Sequence, residues 1–120
     1  MKKFVLLLFF FSSCCAFAGK LEKGFEALDV YNYFKAKQTF YSSLKKHISA
    51  ASFGLAAIYS RNDNPFYNLD SAHKYISLSE KNFKIAAKKE KERIEKLKIT
   101  QLSITDLREN IYKKAFEAAE

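Results

Sequence analysis

Three glycines, one proline and no tryptophan in 120 residues leave little material for tight turns. β-Sandwiches and barrels need many such turns, and two-layer α/β folds usually place glycine at their corners. The shortage therefore predicts an all-α chain, one small domain in size. Cysteine is equally scarce. Cys14 and Cys15 are the whole complement, and a chain beginning after Ala18 would keep neither, which removes disulfide and thiol chemistry from its repertoire. The glycines at 19, 24 and 54 are too dispersed for a phosphate-cradling loop, and no Gly-x-Ser-x-Gly elbow occurs.

What is present begins with an export-like leader, MKKFVLLLFFFSSCCAFA. Lys2 and Lys3 precede an unbroken apolar run from Phe4 to Phe11, and Ala16-Phe17-Ala18 has the small-x-small form of a signal peptidase site. The run is shorter than the roughly 20 residues that span a bilayer. Residues 1–18 are thus expected to be a cleaved secretory signal. Phe11-Ser12-Ser13-Cys14 also resembles a bacterial lipoprotein site, with Phe11 where a Leu-like residue is usual, so lipidation at Cys14 is the alternative. Either route exports the chain to the periplasm or cell envelope. Losing Lys2 and Lys3 takes 21 basic residues to 19 against 13 acidic ones, so +8 becomes +6. Export argues against nucleic acid as the partner of that charge and favours an acidic protein or an anionic envelope surface.

An internal echo runs through the rest of the sequence. Residues 34–43 (FKAKQTFYSS) align with residues 70–79 (DSAHKYISLS) at a constant offset of 36, matching Ala36 to Ala72, Phe40 to Ile76 and Ser43 to Ser79. Upstream, Gly24 and Ala27 are echoed by Gly54 and Ala57 at an offset of 30. Small residues one turn from a bulky apolar one suit paired antiparallel helices that approach closely. Glycine inside a helix costs about 1 kcal/mol relative to alanine, and packing would offset that cost. The pattern resembles the tetratricopeptide repeat, Leu-Gly-x-x-Tyr followed by Ala-x-x-x-Phe-x-x-Ala. Gly24, Ala36 and Phe40 match it in the first unit, with Ala27 at the Tyr position and Ser43 at the last Ala. Phe53-Gly54, Ala57, Ala72, Ile76 and Ser79 stand for it in the second, which carries the insertion SRNDNPFYNLD from Ser60 to Asp70. The resemblance covers roughly Leu21 to Phe83. It implies two helix pairs over residues 19–79, stacked as a short solenoid.

Local signals place helices over Leu21 to Val30, Phe34 to Lys46, a third capped by Ser49 and ending near Ser60, and a fourth over Ser71 to Ser79 capped by Asn68 or Asp70. From residue 80 to 120 the texture changes. Lys88 to Lys96 carries eight charges in nine residues, with a thin stripe of Phe83, Ala87, Ile94 and Leu97. That stretch reads as a long solvated helix. Ser103 is expected to cap a last helix with Ile104, Leu107, Ile111, Ala115 and Ala118 on its apolar face, flanked by Tyr112 and Phe116. Its ending lacks a stop signal, which suggests a continuing array.

Chemistry is thinly represented. His47 and His73 lie 26 residues apart with no second ligand at metal spacing,. Asp63 and Asp70, with Asn62, Asn64 and Asn68, lack the order and central glycine of a calcium loop and read as turn formers. No catalytic, cofactor-binding or metal residue is assigned, and no cofactor is implied. Tyrosines are the remaining candidates for recognition, with Tyr33, Tyr41, Tyr59 and Tyr75 lining a groove between stacked helices and others belonging to the core. The expected function is an exported, non-catalytic scaffold or adaptor that binds a protein or peptide. The alternative is a structural spacer or membrane-surface lipoprotein whose basic helix over 81–98 contacts anionic lipid.

Overall fold

A computed structural model describes residues 19–119. The leader 1–18, with Cys14 and Ala16-Phe17-Ala18, lies outside the described residues. Six helices follow one another: α1 (Lys20–Asp29), α2 (Tyr33–Ser43), α3 (Ile48–Ser60), α4 (Leu69–Ile85), α5 (Lys88–Lys96) and α6 (Gln101–Ala119). The described residues contain no strand. The fold is all-α, and the helices pack on one another. No helix among the described residues is long and apolar enough to cross a membrane.

Helix ends are made with few glycines. α1 stops in a Schellman motif, in which Asn32 N–H donates to the Ala27 carbonyl (2.8 Å) and Tyr31 N–H to that of Leu28 (3.1 Å),. Tyr31 takes the left-handed position at φ 61°, where glycine is usual. Asn32 then opens α2, its Oδ1 accepting from Lys35 N–H. α5 ends the same way, with Lys98 at φ 64° and Ile99 N–H reaching the Ile94 carbonyl. The buried pair Ile94 and Ile99 supplies the apolar contact that accompanies this motif,.

α3 is the centre of the core. Eleven of its thirteen residues are buried, and it carries no charge, the signature of a helix surrounded on all sides. It packs on α1, α2, α4 and α6. Its pairing with α4 is antiparallel, because Ser49 near its start meets Ser79 while Tyr59 near its end stacks on Tyr75. α6 runs antiparallel to α4 in turn, with Arg108 on Glu80 at 2.6 Å and Tyr112 beside His73.

Three local readings are corrected. Ser49 does not cap α3. It is buried, and its hydroxyl donates to the Ser79 carbonyl while the Ser79 hydroxyl donates back to the Ser49 carbonyl, both at 2.8 Å; His47 occupies the cap position. The charged residues Lys88 to Lys96 do form one helix, but it is not continuous with the Phe83 end of the expected stripe, because α4 runs on to Ile85 and the chain then turns extended at Ala86 and Ala87 before α5 begins. This turn lets Phe83 and Ile94 both reach the core while Ala87 stays exposed. Ser103 is not the cap of α6 but the third residue of its first turn. Thr100 caps it, the two side chains and backbone N–H groups bonding reciprocally at 3.0 and 3.2 Å,. On α6, Ile104 and Ile111 are buried and Leu107 partly so, whereas Ala115, Phe116 and Ala118 are exposed.

Candidate functional site

The two echoed glycines, Gly24 and Gly54, converge on the side chain of Phe40. The Phe40 ring is fully buried and lies between α1 and α3. A Cβ added at Gly24 would stand 2.7 Å from Phe40 Cε1, and one added at Gly54 would overlap the ring, at 2.5 Å from Cε2 and 2.6 Å from Cε1. The two glycines thus border a socket that admits a phenyl ring and no further carbon at either position. Phe25 closes the socket edge-to-face, with centroids 4.8 Å apart,. Ala36, Ala72 and Ile76 are completely buried, and Ala27 and Ala57 nearly so. Close approach at small residues, filled by an apolar side chain one turn on, is what the spacing predicts.

Tyrosines come together on the other side of α3. Tyr59 and Tyr75 stack face to face, 5.8 Å apart and 9° from parallel, and Tyr41 meets Tyr75 edge-on. The Tyr75 hydroxyl donates to that of Tyr41 at 3.1 Å, and the Tyr41 and Tyr59 hydroxyls share a bond of 2.7 Å. α2, α3 and α4 are thereby joined through three phenols. Tyr33 stands apart, donating to the Asp63 carboxylate at 2.8 Å. Burial raises Tyr33, Tyr41 and Tyr75 above the ordinary phenol pKa of 10.0, reinforced by the bond to Asp63 for Tyr33 and by the phenol network for the other two,. Tyr33, Tyr59 and Tyr75 are less than a tenth exposed; of the four expected groove residues, Tyr41 alone is open, at 40%. Lys37 rides over Phe66 at 4.1 Å and Tyr59 at 5.9 Å, and Lys74 over Tyr75 at 5.4 Å, which sets two cations on the rings of Tyr41's hydrogen-bond partners.

The inserted loop serves the C-terminus of α3, whose last carbonyls need donors. Asn64 Nδ2 donates to the carbonyls of Ile58 and Arg61, Asn68 N–H to Tyr59, and Lys114 Nζ, from α6, to Ser60 at 2.7 Å. Asn64 and Asn68 direct their own side-chain oxygens to the backbone N–H groups of Phe66 and Ser71. The histidines are structural in their contacts. His47 Nδ1 lies 2.9 Å from Glu90, and Arg93 faces its Nε2 at 3.4 Å, an arrangement satisfied by the tautomer protonated on Nδ1,. His73 Nε2 lies 3.1 Å from the Tyr112 hydroxyl. No group of three His, Cys, Asp or Glu side chains able to hold a metal occurs among the described residues.

The glycine pair and the tyrosine spacing were visible in the sequence. The phenol network and the Asn64 clasp were not, because each joins residues through the fold rather than along one helix. Compared with family models, curated proteins and solved structures, the chain finds no match.

Proposed function

We propose that this chain is an exported, tetratricopeptide-like helical module that binds another protein and performs no catalysis of its own. The Phe40 socket carries the reading. A ring on the second helix of one pair, received by glycines on the first helices of two successive pairs, is how stacked helix pairs become one rigid surface. α6, laid against both α3 and α4, takes the position of a further first helix. Stacked pairs present exposed aromatic and charged side chains on a fixed scaffold, which suits recognition more than reaction. The recognition surface centres on Tyr41, with Lys37 and Lys74 beside it, so the partner segment is expected to be acidic. A single basic helix over 81–98 lying on lipid is less well supported, since the extended turn at Ala86 and Ala87 divides its cations between two helices.

The test is affinity capture from the native host with the wild-type chain and with a Tyr41→Ala, Lys37→Glu, Lys74→Glu variant. A partner bound by the first and lost by the second supports the reading. An identical set of captured proteins refutes it. Intact mass from the same preparation tests export, with a start at Gly19 expected for cleavage and a lipid adduct on Cys14 for the lipoprotein alternative.

A further inference from the structure

The protein carries a second concave feature, distinct from the tyrosine cluster in composition, although the end of α2 contributes Ser42 and Ser43 to it. A cleft of about 940 Å³ is bounded by the start of α1, the turn between α2 and α3, and one face of α5. Lys20, Lys45, Lys46, Lys89, Arg93 and Lys96 line it, against two carboxylates, Glu22 and Glu92. None of the six cations is ion-paired among the described residues. We propose that this cleft binds a ligand bearing several phosphate groups, an oligophosphate or a phosphorylated sugar-alcohol headgroup.

The backbone supports this placement. Lys89, Arg93 and Lys96 recur at four- and three-residue spacing and so share one face of α5, while Ile94 is wholly buried and Leu97 partly so. That face is turned into the cleft because the chain breaks at Ala86 and Ala87, where neither glycine nor proline demands a break. His47 pins α5 in position by its contacts to Glu90 and Arg93. Three separated stretches thus deliver unpaired positive charge to one concavity, where low-dielectric walls focus the field.

The lining also selects the class of ligand. Ammonium groups act as compact point charges and a guanidinium offers a planar fork, both suited to phosphate oxygens. A space of this size is typical of a small-molecule site and exceeds what one phosphate fills. No Phe or Tyr lines the cleft, so a nucleobase would find no ring to stack on. Clustered phosphates on a polar body fit best.

This inference does not rest on the docking role of Tyr41. It is tested by isothermal titration of the full chain with tripolyphosphate at neutral pH. A parallel arm sediments the chain with phosphatidylcholine vesicles, plain or containing phosphatidylinositol phosphate. Two variants open different walls, Lys89→Gln, Arg93→Gln, Lys96→Gln and Lys45→Gln, Lys46→Gln. A control removes three charges elsewhere, as many as the larger cleft variant and one more than the smaller, Lys81→Gln, Lys84→Gln, Lys113→Gln. All these side chains are exposed, and circular dichroism confirms that helicity is kept. The expected result is a loss of at least about tenfold in affinity for each cleft variant, the scale of one charge-assisted hydrogen bond. The control should change by less than about threefold, the effect of net charge alone. Loss in the soluble arm identifies a free oligophosphate, and loss in the vesicle arm alone identifies a headgroup. Equal losses in cleft variants and control, or no binding in either arm, overturn the proposal.

Discussion

Replacing Gly54 by alanine isolates the socket that joins α1, α2 and α3. In an open helix the change is favourable by about 1 kcal/mol, because alanine loses less conformational entropy. Here the new Cβ would stand 2.5–2.6 Å from two atoms of the Phe40 ring, against 3.4–4 Å for ordinary contact. The ring has no free space to withdraw into, since it is fully buried, Gly24 also borders it, and Phe25 packs on it with centroids 4.8 Å apart. Overpacking of this kind costs about 1–3 kcal/mol, and three ring atoms in collision place it at the upper end. The net result is a loss of about 2 kcal/mol. Gly24→Ala meets one close atom and two at 3.1 Å, so its cost is smaller. In a Phe40→Leu background the collision disappears, and Gly54→Ala is expected to gain about the 1 kcal/mol of helix propensity. That reversal amounts to a coupling of about 3 kcal/mol, far above the ~0.5 kcal/mol tolerance of independent sites. Urea denaturation followed by far-UV circular dichroism, with midpoints compared at a common slope, measures all four corners of the cycle. Stabilisation by Gly54→Ala alone, or equal costs in both backgrounds, would refute the socket.

Other substitutions test other parts of the fold. Ser52 is buried with no partner for its hydroxyl, so Ser52→Ala should stabilise by about 1 kcal/mol; Ser79→Ala, which removes a bond to Ser49, should destabilise by a similar amount in the same assay. Lys98 sits at φ 64°, so Lys98→Gly should raise the thermal midpoint, relieving about 1 kcal/mol of left-handed strain, whereas glycine at exposed Lys81 inside α4 should lower it. Because Tyr33, Tyr41 and Tyr75 have folded pKa values above the unfolded 10.0, the folded chain holds its phenol protons longer. Their contribution is complete below pH 10.0 and is lost as pH rises through the folded values. Phenolate absorbance should therefore appear at higher pH in the folded than in the urea-unfolded chain, and a coincident titration would contradict the phenol network.

The sequence is most informative where a residue's role is local. Asn68 caps α4, and the turn falls at residues 31 and 32, because those side chains and backbones act on their immediate neighbours. Spacing singles out Gly24, Phe40 and Gly54, since helical periodicity puts each on a defined face, and in the structure both glycines border the buried Phe40 ring. Ser49 misleads for the opposite reason, its hydroxyl serving a carbonyl 30 residues away. The ends at Tyr31 and Lys98 carry no glycine to announce them. The break at Ala86 and Ala87 follows from the burial of Phe83 and Ile94 on either side of it, and alanines give no local sign of it. The basic cleft depends on that break, so charge counting alone finds the lysines without the cavity.

A stack of helix pairs in which each unit meets only its neighbours can come apart piecemeal, shedding one end while the other stays intact. The sharing of α3 among α1, α2, α4 and α6 removes that option. Any frayed segment that exposes α3 strips partners from a helix with no charged side chain to offer water. The amides of α3 are therefore expected to be the slowest of the described residues to exchange with solvent, whichever end of the chain opens first.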